Sequence, residues 1–150
     1  MIDPALKPFA NEVRHSKVAV KEKGKQAIFV NEERKLFYII RVDGNLIKNE
    51  ISSDYVVRKA EVGNVIIELK GMDVDHAVEQ ILATARYWKK NGYKNSPVAG
   101  LVVCSRKPSF DTKVQRHRSK FAKEFNGPLH VVSHNDEFVF ERVLAQGGPK

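Results

Sequence analysis

Hydrophobic positions change their period once along this chain, near residue 72. Before that point the apolar stretches are short. Ala27 to Val30, Leu36 to Val42, Leu46 to Ile51, Tyr55 to Lys59 and Val65 to Leu69 read as strands, with turn residues between them. Asp43-Gly44-Asn45 predicts a hairpin joining the second stretch to the third, and Gly63-Asn64 a turn before the last. The first half is therefore expected to be largely an antiparallel meander. Ahead of it, Leu6, Phe9 and Val13 stand at helical spacing and predict a short helix within residues 4 to 15. Lys17 to Lys25, with Gly24 among its lysines, reads as a solvated loop or strand edge.

After residue 72, Val74, Ala77, Val78, Ile81, Leu82, Ala85 and Trp88 recur every three or four positions. They predict a helix from an Asp73 cap to Asn91, stopped by Gly92. Val98 to Cys104 reads as a buried strand. A second helix is expected over about Thr112 to Phe125, capped by Asp111 and ended by Asn126-Gly127-Pro128. Leu129 to Val132 and Phe138 to Glu141 read as two more strands, and residues 146–150 as a frayed tail.

At 150 residues the chain fits one domain, large enough for a core without disulfide or metal staples. Neither the 42% hydrophobic share nor any apolar run suggests a membrane segment, which needs about 20 apolar residues. The start, Met1-Ile2-Asp3-Pro4-Ala5, lacks the features of a signal peptide, and Cys104 is the lone cysteine. A cytoplasmic location is the simplest expectation. The net charge of +8 and pI near 9.6 call for a polyanionic partner, with nucleic acid the default.

That charge balance gives weight to Val65-Ile66-Ile67-Glu68-Leu69-Lys70-Gly71. Strand alternation puts Ile66, Glu68 and Lys70 on one face and Val65, Ile67 and Leu69 on the other. Charges drawn into apolar company are costly unless they pair or bind an ion. The acid-x-Lys triplet alone is weak: 18 acids and 17 lysines in 150 residues give about two by chance, and three occur. Glu33-Arg34-Lys35 and Asp111-Thr112-Lys113 fall in a turn and at a helix start. Only Glu68-Leu69-Lys70 ends an apolar strand, with Asp54 one strand earlier, Gly71 beside it and a capped helix directly after. A hairpin places Asp54 within a residue or two of the position opposite Lys70, and cross-strand neighbours lie about 5 Å apart. Two carboxylates at that range can share Mg²⁺, which takes oxygen ligands and keeps several waters.

Ser53-Asp54-Tyr55 together with Ile67-Glu68-Leu69-Lys70-Gly71 resembles the PD-(D/E)XK nuclease superfamily over roughly residues 46 to 104, and the motif strand is similar to that of Holliday junction resolvases. The resemblance implies a restriction-endonuclease-like α/β fold: a central mixed sheet, antiparallel meander plus a parallel strand, flanked by helices. It implies a nuclease core over about residues 35 to 133. Asp54, Glu68 and the Leu69 carbonyl would hold Mg²⁺ or Mn²⁺. Lys70 would position or help deprotonate the attacking water, and Gln80 on the following helix would help set the site. Glu12, on the expected N-terminal helix, and Glu50 are two further acids to weigh. Ser53 stands where the family has proline.

The second helix adds a cationic surface. Lys113, Arg116, Arg118, Lys120 and Lys123 accompany an apolar stripe of Val114, Phe121 and Phe125, and Arg106 and Lys107 extend it. Such residues contact phosphates without reading sequence. The histidines give less: on a strand, His130 and His134 would lie about 13 Å apart, too far to share a metal. Cys104 reads as a small buried hydrophobe. The expected activity is thus metal-dependent hydrolysis of phosphodiesters, on double-stranded or branched DNA, with a homodimer needed for paired cuts. From other classes, the alternatives are a catalytically inactive nucleic-acid-binding module of the same fold and a scaffold in a larger complex.

Overall fold

The structure, a computed structural model, describes residues 2–69, 73–93, 96–105, 112–133 and 136–147. Lys70, Gly71, Arg106, Lys107, Asp111 and His134 lie outside these, as do residues 148–150. Among the described residues the chain is α/β. Strands β1 (Ala10–Val13), β2 (Lys17–Glu22), β3 (Lys25–Val30), β4 (Phe37–Arg41), β5 (Tyr55–Lys59) and β6 (Gly63–Leu69) precede helix α1 (Val74–Lys90). Then come β7 (Val98–Val103), α2 (Thr112–Phe125), β8 (Leu129–Val132), β9 (Asp136–Phe138) and a short α3 (Phe140–Val143).

Six strands form the main sheet in the order β1-β4-β5-β6-β7-β8. β1, β4, β5 and β6 pair antiparallel, whereas β6, β7 and β8 run parallel, so the sheet is mixed. The parallel part follows from β6-α1-β7-α2-β8, in which each helix carries the chain back to start a neighbouring strand in the same direction. A second sheet, β2-β3-β9, packs on the side opposite α1 and α2, together with α3.

Alternation along β6 decides which core each side chain joins. Ile66 faces a core with Ala77, Val78, Ile81 and Trp88 of α1 and Phe121 and Phe125 of α2. Val65, Ile67 and Leu69 face the other core, with Val18, Val20 and Phe29 of the second sheet and Phe140 of α3. All seven residues of β6 are buried. Full burial of one aliphatic side chain contributes about 1.5–3 kcal/mol, so this central strand anchors both layers. Because Glu68 is two positions from Ile66, it faces α1.

α1 begins at Asp73, whose side chain accepts a hydrogen bond from the His76 N–H at 3.0 Å, and ends before Gly92 in the left-handed region. The Asp73-to-Gly92 frame is as expected. Elsewhere the structure departs from the sequence reading. Residues 7–9 form a 3₁₀ turn and Ala10–Val13 a strand on Phe37–Ile40, in place of an N-terminal helix. Two prolines in this segment, Pro4 and Pro8, and a free edge on β4 favour that outcome. The lysine-rich stretch is a two-stranded hairpin. Leu46 to Ile51 is no strand: Val42 N–H donates directly to the Asp54 carbonyl, so β5 occupies the place beside β4. Asp43-Gly44-Asn45 instead closes a tight loop that drops Ile47 into the core. The β5–β6 turn lies at residues 60–62, slightly ahead of the expected Gly63-Asn64. Phe138 to Glu141 divides into the end of β9 and the start of α3, which buries Phe140 and Val143.

Candidate functional site

Tyr55 pairs with Ile67 across the β5–β6 ladder, so one step further along an antiparallel register Asp54 stands opposite Glu68. The two residues are joined reciprocally. Asp54 N–H donates to Glu68 Oε1 at 3.1 Å, and Leu69 N–H donates to Asp54 Oδ2 at 3.0 Å. Backbone donors that would continue the ladder are thus taken by each acid from the facing strand. Both carboxylates are held at the carboxyl end of β6.

Glu68 is 3% exposed and Asp54 is half-buried. Removing a carboxylate from water costs several kcal/mol, more than burying the neighbouring Ile66 returns, and two like charges side by side add to that cost. One charge-assisted hydrogen bond offsets only about 1.5–3 kcal/mol. A site of this composition is stabilised by positive charge.

The chain leading into Asp54 is clamped to α1. Ser53 N–H donates to Thr84 Oγ1 at 2.8 Å, the Ser53 hydroxyl reaches the same oxygen at 3.0 Å, and both residues are fully buried. A proline at 53 could not make the first bond. One turn earlier on α1, Gln80 Nε2 donates to the Ser52 carbonyl at 3.2 Å. That bond fixes the amide orientation and leaves Gln80 Oε1 buried with no hydrogen-bond donor among the described residues. A buried acceptor of this kind suits a position that holds water.

Among the described residues, no group of three or more His, Cys, Asp or Glu side chains could hold a metal. The donors present are two carboxylates and the backbone of Leu69, all hard oxygens. That set fits Mg²⁺ or Mn²⁺, which one or two carboxylates commonly hold with water completing the shell; it does not fit Zn²⁺, which favours nitrogen and sulfur.

The other expected site residues are spread out. Lys70 lies outside the described residues, as do Arg106 and Lys107. Glu12 is exposed on edge strand β1, separated from β5 by β4, and Glu50 is exposed in the loop before Ser52; neither is brought to the acid pair by the sheet. On α2, Arg116, Lys120 and Lys123 are exposed at spacings of four and three, forming one stripe, and Arg118 is half-buried. Lys113 is engaged: its Nζ lies 2.8 Å from Asp75 Oδ2.

Asp75 also meets His117 Nε2 at 2.8 Å. Lys113 and His117 together hold its carboxyl below the usual range. This bridge, with Arg86 on Glu124 further along, ties α1 to α2. None of it shows in sequence pattern, because the partners are about 40 residues apart.

Sequence pattern also misses Tyr55. Its hydroxyl donates to the Lys21 carbonyl at 3.2 Å, linking the strand that follows Asp54 to the β2–β3 hairpin. Burial raises its pKa, the charges of Glu22 and Asp54 raise it further, and Arg41 opposes them. Cys104, at the same end of the sheet, is buried, and burial pushes its thiol up against the opposing charge of Lys25.

Comparison with protein-family models, with curated proteins and with solved structures finds no match to this chain.

Proposed function

We propose that this protein is a divalent-metal-dependent nuclease with a restriction-endonuclease-like fold, hydrolysing phosphodiester bonds of double-stranded or branched DNA. The observation that carries the reading is the reciprocal hydrogen bonding that holds Asp54 and Glu68 side by side, one of them buried, at the end of a central strand. The antiparallel β4-β5-β6 meander, α1 and the parallel β7 support it as the order of elements expected of that fold. The family's N-terminal helix has no counterpart among the described residues, where a 3₁₀ turn and a strand stand in its place.

In this reading Asp54, Glu68 and the Leu69 carbonyl hold Mg²⁺ or Mn²⁺. The ion supplies charge neutralisation at the scissile phosphate and makes water more acidic. Lys70, two positions after Glu68 in the sequence, would orient the attacking water and supply positive charge for the phosphate. Gln80 accepts a hydrogen bond from water through Oε1 while its amide nitrogen keeps the Ser52 carbonyl, and so the approach to Asp54, in place. Thr84 acts at one remove, fixing Ser53. The exposed stripe Arg116, Lys120 and Lys123 contacts phosphates and positions the duplex.

Incubation with supercoiled and four-way branched DNA tests this. Cleavage is expected with Mg²⁺ or Mn²⁺ and none with EDTA. Salt-sensitive binding without cleavage on every substrate would favour the non-catalytic binding module.

A further inference from the structure

Lys17 to Lys25 reads from sequence as a solvated loop or strand edge, yet the fold carries the tip of the β2–β3 hairpin to the end of the main sheet where the acid pair sits. One contact fixes that position. The Tyr55 hydroxyl bonds the Lys21 carbonyl, and Tyr55 follows Asp54 directly. Lys25 lies close enough to Cys104, just past the end of β7, for its charge to act on the thiol.

The hairpin itself is rigidly specified. Glu22 and Lys25 are directly opposed, so Lys23-Gly24 forms a two-residue turn, with φ of 47° and 82°. Positive φ at both positions is the type I′ geometry that matches strand twist, and Asn-Gly is its favoured sequence. Lysine in that first position gives up conformational ease for a cation at the tip. Lys21 and Lys23 are exposed and Lys25 is half-buried, around a hollow of about 390 Å³ lined by these three with Glu22, Gly24 and Gln26. Arg41 ends β4 opposite Tyr55 and adds a fourth cation.

We propose, resting on the nuclease reading of the acid pair, that the β2–β3 hairpin is a second phosphate-contacting arm, which grips the DNA backbone from the side of the sheet opposite α1. Lys21, Lys23 and Lys25 neutralise phosphates flanking the scissile one. The pair of carboxylates repels DNA when no metal is bound; fixed cations beside it counter that repulsion before the ion arrives. DNA is therefore held from two sides, by α2 and by the hairpin.

The test is binding of a fluorescein-labelled duplex in EDTA across a salt series, which needs no cleavage. The variant is Lys21→Gln/Lys23→Asn/Lys25→Gln; its asparagine suits the left-handed turn position, so the hairpin keeps its geometry. Each lost phosphate contact lowers the slope of log affinity against log salt by about 0.9, so a fall of about two to three is expected. The control Lys17→Gln, at the other end of β2 and paired with Glu137, should leave the slope near that of the parent. An unchanged slope in the triple variant, an equal fall in the control, or no duplex binding by the parent would overturn the arm. Parent protein that binds with a steep slope lost in the triple variant, yet never cuts, would keep the arm and sink the nuclease reading. Cutting by a triple variant of unchanged slope would do the reverse.

Discussion

Glu68→Gln is expected to abolish metal-dependent cleavage while leaving the fold intact. The substitution keeps the side chain's shape and the acceptor for the Asp54 N–H but removes one of the two charges that would hold the ion. Loss of several kcal/mol of transition-state stabilisation at tenfold per 1.36 kcal/mol corresponds to a rate reduction of about 1000-fold. Stability should move the other way or not at all. Replacing one of two adjacent carboxylates by a neutral amide relieves repulsion and lowers the cost of burying a residue that is 3% exposed. Asp54→Asn should behave alike, and Lys70→Ala should lose cleavage while keeping DNA binding. The decisive readouts are nicking rate and melting temperature on the same preparations. Cleavage retained within about tenfold in Glu68→Gln would separate the acid pair from the chemistry.

The largest structural effect is expected at Gly127, in the turn between α2 and β8. A Cβ built there would overlap the carbonyl oxygen of Val98, the first residue of β7. The obstacle is backbone, and it belongs to a buried strand whose neighbour is tied in by the Gly100 N–H bond to the Pro128 carbonyl. No rotamer change can relieve it, so the α2–β8 connection must shift away from the sheet. Gly127→Ala should cost about 3 kcal/mol, at the upper end of overpacking penalties. Gly147→Ala is the matched control, since a Cβ there meets nothing within 4 Å among the described residues. Urea unfolding of the two variants gives the comparison; equal midpoints would mean that the turn yields freely.

Where the sequence was legible, a single period dominated. α1, with its Asp73 cap and its stripe from Val74 to Trp88, and α2, from Thr112 to Phe125, follow helical spacing to within a residue at each end. β5 to β8 followed their apolar runs. Asp54 could be placed near Glu68 because a short hairpin transmits register from its turn, and a slip of one residue would have turned Ile66 and Glu68 to the other face. Pattern failed where a distant partner decided the outcome. Ala10–Val13 is a strand because the edge of β4 was open to it. Leu46 to Ile51 lost its place because β5 pairs with β4 directly. The second sheet closes when β9 pairs with β3 over a separation of about 110 residues, with Ala27 opposite Asp136. At the site, the Thr84–Ser53 clamp and the Tyr55–Lys21 bond are likewise long-range contacts, made by residues that look ordinary in one dimension. The Ser53 N–H is in use there, in a bond that a proline could not make.

The central claim is that Asp54 and Glu68 share a divalent ion, and anomalous diffraction from a crystal soaked in Mn²⁺ tests it most directly. The expected result is one strong peak between the two carboxylates, with oxygen contacts of about 2.0–2.2 Å and the Leu69 carbonyl or water completing the shell. A crystal saturated with Mn²⁺ that shows no peak there, with the two carboxylates still bonded only to backbone N–H groups and side-chain cations, would contradict it.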